Sequence, residues 1–217
     1  MKLLVVGASG GCGQWVVKFA AARGWDVTAA VRPITPYAPP AGVRVVSGDV
    51  LDPAHLTAIV PGHDAIFSCL GPQRINPRLP WSGLRSPPSF ATRSAELLIA
   101  AARAAGIDRI GAISAAGVGD SAASLNIVMR MLLATSAIGP MYADLAGMEA
   151  RYLASGLDWF AVRPVTRVSF APSRRAREVP RFGLTSIIAR ADVAQWMVDR
   201  IASTAPTGTR TPLLGWW

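Results

Sequence analysis

Three glycines near the start of the chain, Gly7, Gly10 and Gly13, have the type and spacing that let a backbone approach a bound anion closely. They follow a short apolar run, Leu3 to Val6, which is typical of a strand buried on both faces of a parallel sheet. A helix-like run from Trp15 to Ala22 comes next, so Gly7 suits the tight turn and Gly13 the packing of a helix on the sheet. Because the first N–H groups of that helix would point out of the turn, the pattern predicts a pyrophosphate site for a dinucleotide.

The remaining residues of this turn are predicted to lie against the same phosphates. Gly11 and Cys12 would contribute backbone to the site. Ser9 either adds a hydroxyl donor or is only a small turn residue.

Arg32 stands at the carboxyl end of the second predicted strand, Asp26 to Val31, where the type of dinucleotide is selected. An acidic residue there would accept hydrogen bonds from a ribose 2′-hydroxyl, whereas an arginine matches a 2′-phosphate in geometry and charge. No acidic residue accompanies Arg32, because Asp26 lies at the start of the strand. The sequence therefore predicts NADP(H) and disfavours NAD(H); the alternative is that Arg32 is a solvated surface arginine.

Two further strand ends are predicted to meet the same ligand. Asp49 follows the third strand and either accepts from the adenine amino group, with Val50 covering the ring, or only forms a turn. Cys69, Leu70 and Gly71 end the fourth strand beside the point where the strand order of such a sheet reverses, which is where ligands bind. Cys69 is not predicted to be a nucleophile, since no histidine or metal-type partner accompanies it.

Apolar runs alternate with helical patterns along the whole chain, which is typical of an α/β protein. We predict one domain over residues 1–217 with a doubly wound, mostly parallel sheet of Rossmann type, helices on both faces, strand order 3-2-1-4-5-6 and a possible seventh strand. Loops 72–90, 117–142 and 165–190 are predicted to form the substrate pocket. The predicted strands are 2–6, 26–31, 43–46, 64–70, 107–114 and 157–162, with 209–214 as an edge strand. The predicted helices are 12–23, 53–60, 89–105, one or two within 121–136, 141–155, and 191–203 capped near Asp192.

The composition of the chain disfavours several classes of protein. The formal charge of +9 comes almost entirely from arginine, but no recognition motif accompanies the cluster of Arg174, Arg175, Arg177 and Arg181, so nucleic-acid binding is disfavoured. The two cysteines do not suit a disulfide framework, and Gly7 ends the first apolar run too early for a signal peptide. We therefore expect a cytoplasmic protein with no membrane partner, which is a monomer or a dimer. No metal site is predicted, and His55 and His63 are expected at the surface.

The order of these motifs resembles one family. The chain is similar to the atypical short-chain dehydrogenases/reductases with an NAD(P)H-binding domain, and within them to the flavin reductase/biliverdin-IXβ reductase and NmrA-like group. The residues that carry the resemblance are Gly7–Gly13, Val31-Arg32, Gly48–Asp52, Leu70-Gly71, Ile113–Ala115, Met148-Glu149, Ser155–Trp159, Val162–Pro164 and Arg190–Ala194.

This resemblance implies roles at the nicotinamide end of the site. The serine after the fifth strand, Ser114, would approach the nicotinamide and the substrate; the alternative is a strand-end serine that bonds nearby backbone. Backbone after the Arg-Pro pair would meet the carboxamide, which implies Val165 and Thr166, while Pro164 would lie beside the nicotinamide.

The chain lacks the Tyr-x-x-x-Lys pair with which related enzymes reduce ketones. Tyr142 is followed four residues later by Ala146, and Tyr152 by Gly156, so no lysine lowers either phenol pKa. Tyr142 is kept with Ser114 as a catalytic candidate. We expect an NADPH-dependent reductase that delivers hydride to a flavin, quinone or other conjugated acceptor, because such acceptors stabilise the added charge themselves.

Two questions stay open at this point. The alternative function is a non-catalytic, NmrA-like redox sensor that binds NADP(H). Apolar residues of the loops either form walls for a planar aromatic acceptor or belong to the core. These residues are Trp81, Leu125, Met129, Leu132 and Met141.

Overall fold

Strands and helices alternate along the chain as predicted, and the computed structural model describes them over residues 1–169, 174–183, 185–203 and 209–216. The strands are β1 (Lys2–Val6), β2 (Asp26–Val31), β3 (Arg44–Ser47), β4 (Ala65–Ser68), β5 (Arg109–Ile113), β6 (Asp158–Pro164), β7 (Thr166–Val168), β8 (Arg177–Glu178), β9 (Ile187–Ala189) and β10 (Leu213–Gly215). The helices are α1 (Gly13–Ala22), α2 (Pro53–Ile59), α3 (Phe90–Ala104), α4 (Ile127–Thr135), α5 (Ile138–Leu153) and α6 (Arg190–Ala202), with a 3₁₀ helix at Gly119–Ser124.

Within the described residues, eight strands form one sheet in the order β3-β2-β1-β4-β5-β6-β10-β8. The predicted Rossmann order 3-2-1-4-5-6 is confirmed, and every pair from β3 to β10 is parallel. Because the order reverses between β1 and β4, the carboxyl ends of these two strands open a crevice there. The prediction of 209–214 as an edge strand is wrong: β10 lies between β6 and the antiparallel β8, which forms the edge.

Successive side chains of β1 point into two separate cores, one on each face of the sheet. Leu3 and Val5 pack with α1 and α6, whereas Leu4 and Val6 pack with α2, α3 and α5. All four of these side chains are buried, which explains why the strand reads as a continuous apolar run. The sheet is therefore covered on both faces, and its carboxyl edge is left for a ligand.

Several local predictions need correction. Asp192 does not cap α6, which begins at Arg190 with Ala189 as its N-cap; the Asp192 carboxylate is buried and accepts from the Trp216 indole at 2.7 Å. His63 is a buried residue and not a surface one. Its Nδ1 donates to the carbonyl of Val60 at 3.0 Å, so Nε2 can accept from a threonine hydroxyl of β2 at 2.9 Å.

The last part of the predicted substrate pocket, 165–190, contains three short strands. β7 and β9 form a parallel pair, and β8 joins the main sheet. Residues 170–173 and 184 of this range lie outside the described residues. The loop 73–88 has no regular element apart from an isolated bridge between Arg74 and Leu84, as predicted.

The turn between β1 and α1 has no room for side chains. Gly7 has a φ of +77°, and a Cβ there would lie 2.9 Å from the carbonyl oxygen of Cys69. A Cβ at Gly13 would lie 2.2 Å from the carbonyl oxygen of Gly7. The glycines therefore let α1 start directly against the end of β1, which places the helix N-terminus at the carboxyl edge of the sheet.

A buried ion pair fixes the end of β6 to α5. Arg163 and Glu149 are 4% and 7% exposed, and they pair through Nε to Oε1 at 3.0 Å and Nη2 to Oε2 at 2.6 Å. Arg163 also binds the carboxylate of Asp120 in the 3₁₀ helix. This hydrogen bond lowers the pKa of Asp120. The arrangement holds three elements together beside the strand end that leads into β7.

Substitution of Gly13 by alanine should destabilise the protein, because the new methyl group would collide with a carbonyl oxygen that cannot move away independently. We expect Gly13→Ala to lower the free energy of unfolding by about 2 kcal/mol or more in urea denaturation. Gly71→Ala is the matched control, since a Cβ there meets nothing within 4 Å. Equal midpoints for the two variants would contradict this account of the turn.

Removal of the Glu149 carboxylate should leave the Arg163 guanidinium buried and without its main countercharge. We expect Glu149→Ala to cost about 3–5 kcal/mol of unfolding free energy. Glu96→Ala is the control, because the Glu96–Arg151 pair has side chains 46% and 56% exposed and should contribute less than about 1 kcal/mol. Thermal and urea unfolding of the two variants measure the difference, and a similar loss in both would show that burial is irrelevant to this pair.

Candidate functional site

A cavity of about 360 Å³ opens at the carboxyl edge of the sheet, above the crevice between β1 and β4. Four strand ends that are distant in sequence contribute to its wall, as the parallel topology requires. The predicted residues that line it are Gly7, Ser9, Gly10, Arg32, Asp49, Val50, Cys69, Leu70 and Gly71. The structure thus brings most of the predicted dinucleotide-binding residues together in one cavity.

Asp49 forms a turn, which is one of the two roles that the sequence left open for it. Its Oδ1 accepts from the backbone N–H of Leu51 at 2.9 Å, so the carboxylate shapes the turn after β3. The residue also lines the cavity, and Val50 beside it is buried. One carboxylate oxygen holds the turn, and the second can face a ligand.

The other three residues of the glycine turn do not line this cavity. Gly13 is packed against Gly7, Cys12 is buried at the start of α1, and Gly11 faces Arg190. A Cβ at Gly11 would lie 2.8 Å from Cδ and Nε of Arg190, whose Nη1 donates to Ser169 at 2.6 Å. Arg190 therefore places a positive charge directly over the glycine turn.

Both thiols near the cavity have a pKa above its ordinary value. Burial raises the pKa of Cys12, although Arg167 and Arg190 oppose the shift. Burial raises the pKa of Cys69 well above its usual value, and the neighbouring Cys12 adds to the effect. Neither cysteine carries the thiolate that nucleophilic catalysis needs.

Sequence reasoning missed a second arginine in the wall of the larger cavity. The loop 73–88 folds back so that Gln73 accepts from the backbone N–H of Arg85 at 2.7 Å, and this brings Arg85 to the cavity wall. His55 also lines the cavity and packs on Gly48, where a Cβ would lie 2.2 Å from its ring. Neither residue follows a strand, so their positions could not be read from the spacing of motifs.

A smaller cavity of about 130 Å³ lies beside the ends of β5 and β6. Tyr142, Pro164, Val165 and Thr166 line it together with Arg167, so four of the predicted nicotinamide-end residues meet here. Of the five predicted apolar wall residues, Met129 lines this cavity. Trp81 does not, and it is 66% exposed on the loop 73–88.

Ser114 lies behind this cavity and does not line it. Its hydroxyl is fully buried and has no hydrogen-bond partner among the described residues. Its backbone is held instead: the N–H donates to Val162 at 2.7 Å, and the carbonyl accepts from Nη1 of Arg167 at 3.1 Å. The hydroxyl therefore does not bond nearby backbone of the described residues, and its approach to a nicotinamide stays a prediction.

Tyr142 has arginines and no lysine beside it. Burial raises the pKa of its phenol, and the positive charges of Arg167 and Arg74 oppose the shift. Arg74 also places Nη1 3.6 Å from Sδ of Met141. The net rise means that Tyr142 keeps its proton near neutral pH.

In the described parts of the chain, no helix combines the length and hydropathy needed to cross a membrane. In the same residues, no group of three or more His, Cys, Asp or Glu side chains could hold a metal ion.

The fold is shared with solved structures of low sequence identity. ChuY, an anaerobilin reductase from Escherichia coli O157:H7, is 23% identical with a TM-score of 0.76, and the match covers 99% of this chain and 96% of ChuY. A short-chain dehydrogenase/reductase from Veillonella parvula in complex with NADP is 14% identical with a TM-score of 0.78, over 99% and 94% of the two chains. These likenesses show the Rossmann fold.

Sequence comparison adds the family. The isoflavone reductase homolog IRL of Zea mays is 37% identical over 84 residues, which is 34% of this chain and 27% of the maize protein. The match thus spans about a quarter of that relative. A sequence model described as NAD(P)H-binding matches residues 7–204. The chain therefore belongs to the NAD(P)H-binding family of Rossmann-fold proteins.

Proposed function

We propose that this chain is an NADP(H)-dependent reductase that transfers hydride to a small conjugated acceptor, such as a flavin, a quinone or a linear tetrapyrrole. One observation carries the proposal: the glycine turn and Arg32 line one cavity, and Tyr142 and the residues after β6 line a second one at the same edge of the sheet. Membership of the NAD(P)H-binding family and the likeness to an anaerobilin reductase support it.

The larger cavity fits the adenosine half of the cofactor. Arg32 and Arg85 offer two guanidinium groups for a 2′-phosphate, and no ion pair holds either of them in the described residues. Asp49 and Val50 would meet the adenine. A Cβ at Gly10 would lie only 3.1 Å from Gly7, which supports a backbone surface on which a pyrophosphate can lie.

Arg190 is proposed as a further partner of the pyrophosphate. It lies over Gly11, at the first turn of α6, where backbone N–H groups add to its positive charge. The glycine turn and Arg190 would therefore enclose the phosphates from two sides.

The smaller cavity, at the same edge of the sheet, is the place where the acceptor would meet the nicotinamide end of the cofactor. Bound NADPH supplies a hydride, and the balance is NADPH, a proton and the oxidised acceptor giving NADP⁺ and the reduced acceptor. Val165 and Thr166 would orient the carboxamide, while Pro164 would lie beside the nicotinamide. Tyr142 keeps its proton and can donate a hydrogen bond to the acceptor, while the proton consumed comes from water, since a conjugated acceptor holds the added charge itself.

A redox sensor that binds NADP(H) without turnover is the second candidate. The observations that favour it are the full burial of the Ser114 hydroxyl and the absence of a lysine four residues after Tyr142. A reducing cytoplasm suits both candidates, because Cys12 and Cys69 are free thiols.

Cofactor preference depends on Arg32 in this proposal. We expect the parent protein to bind NADPH at least about tenfold more tightly than NADH, since a bidentate arginine–phosphate contact contributes about 1.5–3 kcal/mol. Arg32→Ala should remove the preference by weakening NADPH binding alone, as measured by fluorescence titration. Arg78→Ala on the exposed part of the loop 73–88 is the control and should leave the preference in place. Equal affinities in the parent would contradict the NADP(H) assignment.

A measurement of NADPH oxidation distinguishes the reductase from the redox sensor. NADPH oxidation followed at 340 nm, with FMN, a naphthoquinone or biliverdin as acceptor, should show steady consumption of one NADPH per acceptor reduced. Tight NADPH binding with no oxidation above the uncatalysed rate for any of the three acceptors would favour the sensor.

A further inference from the structure

The guanidinium of Arg167 makes only part of the hydrogen bonds that it can donate. It belongs to β7 and lines the smaller cavity, where Nη1 donates to the backbone carbonyl of Ser114 at 3.1 Å. No other hydrogen bond and no ion pair holds its guanidinium within the described residues. Nε and Nη2 therefore remain available to a ligand, in a fork that suits two oxygens of one acid.

A second guanidinium lies close to the same phenol. Arg74 comes from the loop 73–88, and its Nε is buried without a hydrogen-bond partner among the described residues. Its positive charge acts on Tyr142 from the loop, while that of Arg167 acts on the phenol from β7. Both positive charges therefore act on the Tyr142 phenol.

No acidic residue of the described part of the chain lines this cavity. The acids on the neighbouring elements are already bound: Glu149 and Asp120 are held by Arg163. Asp144 of α5 accepts from the backbone N–H groups of Ala91 and Thr92 at 2.8 and 2.9 Å. The excess positive charge of the cavity is therefore not neutralised by the protein itself.

We propose that Arg167, which lines the smaller cavity, binds an acidic group of the acceptor, so that the substrate is a conjugated acid and not a neutral flavin or quinone. This rests on the proposed reductase function. The cavity of about 130 Å³ is close to the volume that a single six-membered ring occupies, so it takes one ring or acid-bearing arm of a larger acceptor. A carboxylate there forms charge-assisted hydrogen bonds with Arg167 and accepts a further one from Tyr142.

Ligands that cannot accept hydride test this inference without requiring turnover. The probes are 1-naphthylacetate and its carboxamide, titrated by calorimetry into protein saturated with NADP⁺. We expect the acid to bind at least about tenfold more tightly, which corresponds to about 1.4 kcal/mol. Arg167→Gln should bring the ratio of the two dissociation constants close to one, and Arg167→Lys should keep part of it. Arg78→Gln, at an exposed arginine of the loop 73–88, should keep the parent ratio.

Three results would overturn the proposal. The first is equal binding of the acid and the carboxamide by the parent. The second is a preference for the acid that survives unchanged in both Arg167→Gln and Arg74→Gln. The third is a tenfold loss of NADP⁺ affinity in Arg167→Gln, which would assign the guanidinium to a cofactor phosphate. A preference for the acid in a protein that oxidises no NADPH would instead leave this inference intact and remove the reductase function.

Discussion

The carbonyl oxygen of Gly7 lies only 2.2 Å from the place where a side chain at Gly13 would begin. Because Gly13 has no side chain, the N-terminus of α1 can lie directly against the end of β1, at the point where the strand order reverses. Strands β2 and β4 on either side are in register with β1, so that Val6 is paired with Ala30 and Ser68. The cavity follows from this arrangement, because the residues after β1, β2 and β4 all lie at the carboxyl edge of the sheet.

The order of the first six strands could be predicted because parallel strands buried on both faces read as continuous apolar runs. The outer part of the sheet could not, because β8 and β10 have two and three residues, which is too short for any periodicity. The helix predicted from residue 141 begins three residues earlier in the structure, at Ile138. Pro140 lies in the first turn of α5, where its missing N–H has no partner to lose.

The residues of the candidate site likewise fall into those that the sequence could predict and those that it could not. Residues that directly follow strands, such as Arg32 and Cys69, were predictable because the carboxyl ends of parallel strands converge. Arg85, Arg167 and Arg190 were not, since they come from an irregular loop, a three-residue strand and the start of a helix. Their places depend on tertiary contacts, such as that of Arg190 with Gly11, which leave no local signal in the sequence.

Several of the arginines that give the chain its net positive charge lie at one edge of the sheet. Arg32 and Arg85 line the larger cavity, Arg190 covers the glycine turn, and Arg167 lines the smaller cavity, while the charges of Arg167 and Arg74 both act on the Tyr142 phenol. An anion that approaches this edge meets positive charge along its whole length, and within a concave, partly desolvated cavity this field is stronger than on an open surface. A 2′-phosphate, a pyrophosphate and an acidic acceptor would each neutralise one part of it. The net charge of +9, which at first suggested a polyanionic partner such as nucleic acid, is thus equally suited to small anionic ligands bound in sequence along one sheet edge.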